Sequence, residues 1–188
     1  EVLQNNNVNK KVQSRIPQTQ IDYVISLYSA GQFQNTLSVI ATLSKVYPNV
    51  SLLFSISGAC YQSLGQLHMA VMHYERALTI EPELVEAHSN LGIALKELGQ
   101  LNDAINCYEK ALKIKPDYAP AHYNLGIAFD ELGQLDAAVN CYKQALTIKP
   151  NYAEAHNNLG FVLKELDQLD ASCESCKQAL MINPNYVE

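Results

Sequence analysis

An all-α array of helix pairs is the fold class that three observations predict. Five of the seven prolines, Pro48, Pro82, Pro116, Pro150 and Pro184, stand 34 residues apart. Glycines keep the same spacing in two series, Gly31, Gly65, Gly99 and Gly133, then Gly58, Gly92, Gly126 and Gly160. Between these markers apolar residues recur at helical intervals, and no segment sustains the period of two that a strand demands. Residues 85–118 aligned on 119–152 without a gap give 22 identities in 34 positions. Self-similarity of that length marks a repeat architecture, in which a unit buries its apolar face only against its neighbours.

Along the chain, residues 1–16, with Asn5-Asn6-Asn7 and little periodicity, read as a flexible leader. Unit 17–50 keeps register at Gly31 and Pro48, but Val24 stands at the glycine position and Leu43 at a small-alanine position. It is expected to form a helix pair with looser or reoriented packing. Regular units then span 51–84, 85–118, 119–152 and 153–186, about five repeats in all. Residues 187–188 begin a further, truncated unit, since Tyr186-Val187-Glu188 follows Tyr152-Ala153-Glu154; without an initiator Met, the chain reads as a piece of a longer protein.

Each unit reads as two helices. In unit 85–118, Leu91, Leu95 and Leu98 recur at i, i+4 and i+7, one apolar stripe. Gly99-Gln100 breaks that pattern, and Leu101, Ala104, Ile105, Tyr108, Ala111 and Leu112 resume it on a second helix. Lys113 and Lys115 fall where cations oppose the negative helix end, and Pro116 stops the helix. Asp117, with Asn151 and Asn185 in later units, is expected to cap the following helix. Small residues at Gly92, Ala104 and Ala111 let helix axes approach to about 8–10 Å.

These residues resemble the tetratricopeptide repeat, a 34-residue pattern of aromatic-x2-Leu-Gly-x2-Tyr, Ala-x3-aromatic and Pro. It occurs as Phe54-x2-Ser57-Gly58-x2-Tyr61 with Ala70, Tyr74 and Pro82, and as His88-x2-Leu91-Gly92-x2-Leu95 with Ala104, Tyr108 and Pro116. Further copies are His122-x2-Leu125-Gly126-x2-Phe129 with Ala138, Tyr142 and Pro150, and His156-x2-Leu159-Gly160-x2-Leu163 with Ser172, Cys176 and Pro184. The resemblance covers residues 17–186 and implies a right-handed superhelical solenoid of antiparallel helix pairs.

Composition excludes several classes. A net charge of −6 argues against a general nucleic-acid backbone binder. The longest apolar-leaning stretch, Val50 to Tyr61, is too short to span a bilayer, so no membrane partner is expected. Five cysteines without a dense framework suit a reducing, cytoplasmic setting. Adjacent members of the column His88, His122 and His156 lie too far apart to share a zinc, and each holds a packing position of the family. Cys173-x-x-Cys176 lies mid-helix without a second pair, and is read as structural. Glu97, Glu131 and Glu165 form a ladder on a solvated face rather than an acid–base pair. Neither catalysis, nor a metal, nor a cofactor is expected.

The informative column is Asn90, Asn124 and Asn158. Asparagine is a poor interior helix residue, so three in register call for a reason beyond propensity. The family resemblance implies that first helices line a concave groove which this position faces. An amide both donates and accepts, matching a peptide unit, and a spacing of about 10 Å would meet every third residue of an extended strand. The column resembles the asparagine ladder in the repeat arm of O-linked N-acetylglucosamine transferases; capping or inter-repeat bonding by asparagine is the alternative.

Helical spacing adds Ile93, Ile127 and Phe161 three residues beyond each asparagine, and Lys96, Asp130 and Lys164 six beyond. Glu86, Glu97, Asp130, Glu131, Glu154 and Glu165 outnumber Lys96 and Lys164, so the expected groove is acidic. In the branch of the family that clamps acidic chaperone tails, lysine occupies the positions held here by Ser89, Tyr123 and Asn157. A neutral or basic protein or peptide segment is therefore favoured. The leading expectation is a non-catalytic interaction scaffold. Its rivals are a substrate-recruiting arm of a larger transferase, with the catalytic domain after Glu188, and self-association through the uncapped C-terminal repeat.

Overall fold

The computed structural model describes residues 15–184, of which ten stretches are α-helix and none is strand. Most of the leader 1–16 and the start of a further unit at 187–188 lie outside the described residues. The helices form five antiparallel pairs: α1 (Gln18–Ser29) with α2 (Phe33–Val46), α3 (Ser51–Ser63) with α4 (Leu67–Ile80), and α5 (Val85–Glu97) with α6 (Leu101–Ile114). After them come α7 (Ala119–Glu131) with α8 (Leu135–Ile148), and α9 (Ala153–Glu165) with α10 (Leu169–Ile182).

A tight turn joins the helices of each pair. Gly31, Gly65, Gly99 and Gly133 sit there at φ between 70° and 76°, the left-handed region that only glycine enters without a Cβ penalty. In the last pair Asp167 takes this conformation, at φ 58°, consistent with the tolerance of short polar side chains for it.

Inside the regular pairs the core repeats one contact. A Cβ added at Gly58, Gly92 or Gly126 would meet Cε1 of Tyr74, Tyr108 or Tyr142 at 2.6, 2.5 and 2.7 Å. The aromatic ring thus lies directly on the facing helix backbone, and Ala70, Ala104 and Ala138 complete the close approach as fully buried residues. In the last pair a Cβ on Gly160 would meet Cys176 Sγ at 2.5 Å. Ser172 replaces the alanine there, and its buried hydroxyl donates to the Gly160 carbonyl at 2.7 Å, which removes the cost of an unsatisfied polar group.

The first pair is built differently. Val24 and Ile40 share a buried cluster with Leu53 of α3, and Ile16, Val39 and Leu43 pack against it. The two helices touch much less extensively than those of the later pairs, yet Val24 is completely buried.

One expectation is corrected. Asp117 and Asn151 are exposed and do not cap the next helix, whose N-cap residues are Tyr118 and Tyr152. None of the ten helices has a side-chain hydrogen bond at its N-cap. Packing takes the place of capping. Tyr118 lies against the buried trio Val85, Ala111 and Ala121, and the Lys149 ammonium stands 4.1 Å from the Tyr152 ring centre. Asn185 lies outside the described residues.

Candidate functional site

Curvature follows from which helices meet. Each first helix runs close to the first helix of the next pair, α1 to α3, α3 to α5, α5 to α7 and α7 to α9, whereas the backbones of successive second helices stay further apart. Elements that converge on one side of a stack lie on its inner surface, so the first helices line the concave face.

Three side-chain bonds cross that face at the same offset of 35 residues. Gln62 Nε2 donates to Glu97 Oε1 at 2.9 Å, Lys96 Nζ pairs with Glu131 Oε1 at 3.3 Å, and Asn158 Nδ2 donates to the Tyr123 hydroxyl at 3.2 Å. An offset one residue longer than the repeat is what neighbouring, slightly rotated first helices produce. Glu97 and Glu131, read from the sequence as a solvated ladder, thus take part in inter-repeat bonds although their side chains remain exposed.

Asn90, Asn124 and Asn158 are all half-buried. Asn90 lines an open pocket of about 380 Å³ together with Tyr28, Ala59, Gln62, Ser63, Tyr74 and Glu97. Asn158 donates one of its two amide hydrogens to Tyr123, whose ring also lies 6.0 Å from Tyr142 and 4.8 Å from Tyr152. The ladder is therefore not uniform, and at its last rung the amide bonds between repeats.

The flanking positions divide similarly. Ile93 packs against the core of Leu91, Leu95, Tyr108 and Leu125, and Ile127 against that of Tyr142, Leu159 and Val162, so both are largely structural. Phe161 is half exposed, Asn157 half-buried, and Lys164 exposed. Ser89 is buried, which leaves Tyr123 and Asn157 as the accessible members of their column. Lys96 is committed to Glu131, while Asp130 has its pKa raised, first by burial and then by the charges of Glu165 and Glu131. Sequence reasoning missed Tyr28, Gln62, Ser63 and Tyr74. Gln62 stands 34 residues before Lys96, so extending that column one unit upstream would have found it.

Several other reactive groups are tied up by hydrogen bonds or burial, whereas Cys173 is an exposed free thiol. His88, His122 and His156 each place Nε2 2.9 Å from the carbonyl oxygen of Pro82, Pro116 or Pro150, pinning helix start to preceding turn. Burial pushes the thiols of Cys60, Cys107 and Cys141 up to about 11, which keeps them protonated and unreactive at neutral pH. Burial likewise raises Tyr74, Tyr108 and Tyr142 well above an ordinary phenol, so they act as hydroxyls throughout. Among the described residues no group of three or more His, Cys, Asp or Glu could hold a metal ion, and no helix is long and apolar enough to cross a membrane.

The TPR-repeat family profile matches residues 58–99, 94–133 and 128–167, and the tetratricopeptide-repeat profile matches 153–186. The chain belongs to the tetratricopeptide-repeat family. As a tetratricopeptide-repeat protein it has the character of a protein-interaction scaffold, and the matches point to no catalytic family. A peroxisomal targeting signal receptor of Candida glabrata is 27% identical over 84 residues, 45% of this chain but 14% of the receptor. The chain therefore spans about a seventh of that relative. A chain of Desulfovibrio magneticus MamA that runs from residue 41 to the end superposes with a TM-score of 0.79 at 20% identity, covering 91% of this chain and 97% of that one. YrrB, described as having an unusual peptide-binding site, gives 0.71 at 20% identity, covering 89% and 86%. At these identities the structural neighbours establish the tetratricopeptide-repeat solenoid and nothing finer.

Proposed function

We propose that the concave face holds an extended segment of a protein partner, with Asn90, Asn124 and Asn158 bonding its backbone. The observation that carries this reading is the placement of three half-buried amides on the inner helices, with Asn90 sharing an open pocket with the phenols of Tyr28 and Tyr74. Amides can serve a backbone of any sequence, and side-chain preference would come from Tyr123, Asn157, Asp130, Phe161 and Lys164 around them. The face carries more carboxylates than cations, which favours a neutral or basic segment. The peptide-binding site named for YrrB and the receptor function of the Candida relative suit such a use of the same fold.

The test is the triple variant Asn90→Ala, Asn124→Ala, Asn158→Ala. Peptides selected on the native protein from a random library should bind it about tenfold to a thousandfold more weakly, at roughly 0.5–1.5 kcal/mol for each lost bond. Loss of the Asn158–Tyr123 bond should be offset by the higher helix propensity of alanine, leaving the melting temperature nearly unchanged. Undiminished binding by a folded variant places the partner elsewhere. Unfolding makes the column a structural one.

A further inference from the structure

The strongest unassigned feature is the pocket at the N-terminal end of the concave face. Its volume, about 380 Å³, falls in the lower part of the roughly 300–1,000 Å³ range of ligand sites. Tyr28 comes from α1, Ala59, Gln62 and Ser63 from α3, Tyr74 from α4, and Asn90 and Glu97 from α5. Glu97 is the one charged group among these lining residues. A relay holds it in place, because the Tyr74 hydroxyl donates to Gln62 Oε1 at 3.1 Å and Gln62 Nε2 donates to Glu97 at 2.9 Å.

The next junction shows what such a carboxylate accepts. One repeat on, Lys96 stands in the register of Gln62 and Glu131 in that of Glu97, and the ammonium lies 3.3 Å from the carboxylate. There the chain supplies its own cation and completes the ion pair. At the N-terminal junction it supplies a neutral amide, so Glu97 has no ion-pair partner among the described residues and borders a pocket whose other polar groups are two phenols, two amides and a hydroxyl. We propose that this pocket takes the cationic side chain, arginine or lysine, of the segment held in the groove, which would meet Glu97 from the pocket side and give it the charge partner that Lys96 gives Glu131. The assignment rests on the groove reading and deepens it by fixing where the partner's charge sits.

The experiment compares two capped tripeptides, acetyl-Ser-Arg-Ser-amide and its citrulline counterpart, which keeps the shape of arginine and loses the charge. Each is titrated into the full 188-residue chain labelled with nitrogen-15, following the side-chain amides of Gln62 and Asn90. The arginine peptide should shift both amides and bind about three- to tenfold more tightly, the scale of a charge-assisted bond to an exposed carboxylate. Gln62→Lys, which copies the neighbouring junction, should abolish that preference, as should Glu97→Gln. Equal affinity for the two peptides, or no shift of either amide, overturns the proposal. A preference that persists in folded Gln62→Lys and Glu97→Gln proteins does so as well. A tripeptide is too short to engage all three asparagines together, so failure here counts against the pocket, whereas failure of the groove reading appears in long segments and the triple alanine variant.

Discussion

In the pair α3–α4 a glycine meets a tyrosine, and in α1–α2 the same two register positions hold Val24 and Ile40. Both pairs bury the residues concerned, with Val24 and Tyr74 almost wholly inaccessible. The volume given up by the aromatic ring on one helix is taken up by a branched side chain on the other. What the array conserves at this contact is therefore the filled gap between the helices, and the residue that fills it is free to change sides. The first pair departs from the repeat pattern as a compensated exchange, at the expense of the extensive contact that a ring laid on backbone provides.

Breaking the compensation should show this most plainly. Val24→Gly leaves a void opposite Ile40 and adds a helical glycine, with an expected loss of about 3 kcal/mol in chemical denaturation. Adding Ile40→Tyr should recover most of it, because the pair then copies α3–α4. A double variant no more stable than the single one would mean that the exchange is not a matter of volume.

The reciprocal change is expected to be somewhat smaller. Gly126→Leu drives a side chain into the Tyr142 ring and should cost about 1–3 kcal/mol. Gly126→Val with Tyr142→Ile, the first pair's solution, should be milder than Gly126→Leu alone. Equal or higher thermal stability for Gly126→Leu would remove Gly126 from the close contact.

The smallest effect lies on the groove side. Asp130 stands in the register of Lys96, but faces Glu165 where Lys96 faces Glu131. Asp130→Lys should raise stability by about 0.2–1 kcal/mol, the worth of an exposed pair. Since the fold raises the Asp130 pKa, the folded chain holds that proton more tightly than the unfolded one. The aspartate therefore weakens the fold at neutral pH, and the advantage of the lysine variant should shrink as pH falls through the carboxylate range. Melting curves across that range decide it.

The helix pairs were legible because period, glycine and proline positions are all properties of the chain taken in order. Gly58 with Tyr74 could be anticipated as a small residue near a large one, though not that the ring lies against the glycine itself. Asp117 misled because capping was inferred from residue type, while Tyr118 at the actual N-cap is selected by packing. Ile93 and Ile127 are half lost to the groove because a first helix is covered by the next first helix as well as by its own partner. Gln62 lies beyond the asparagine column, which begins at Asn90 and has Ile56 one unit earlier, so that column does not point to it. Contacts at an offset of 35 depend on how neighbouring units are rotated, which a period of 34 does not disclose.

That one-residue mismatch bears on how such a chain can change through recombination. Removing residues 85–118 would delete one whole period and leave every helix, turn and glycine in phase. It would nevertheless bring Gln62 opposite Glu131, replacing the partnership that Lys96 makes now. Duplication or loss of a unit is thus nearly silent for folding while it re-pairs the inner surface at a stroke. Architecture and recognition in this protein are inherited on different registers, and the second can drift without disturbing the first.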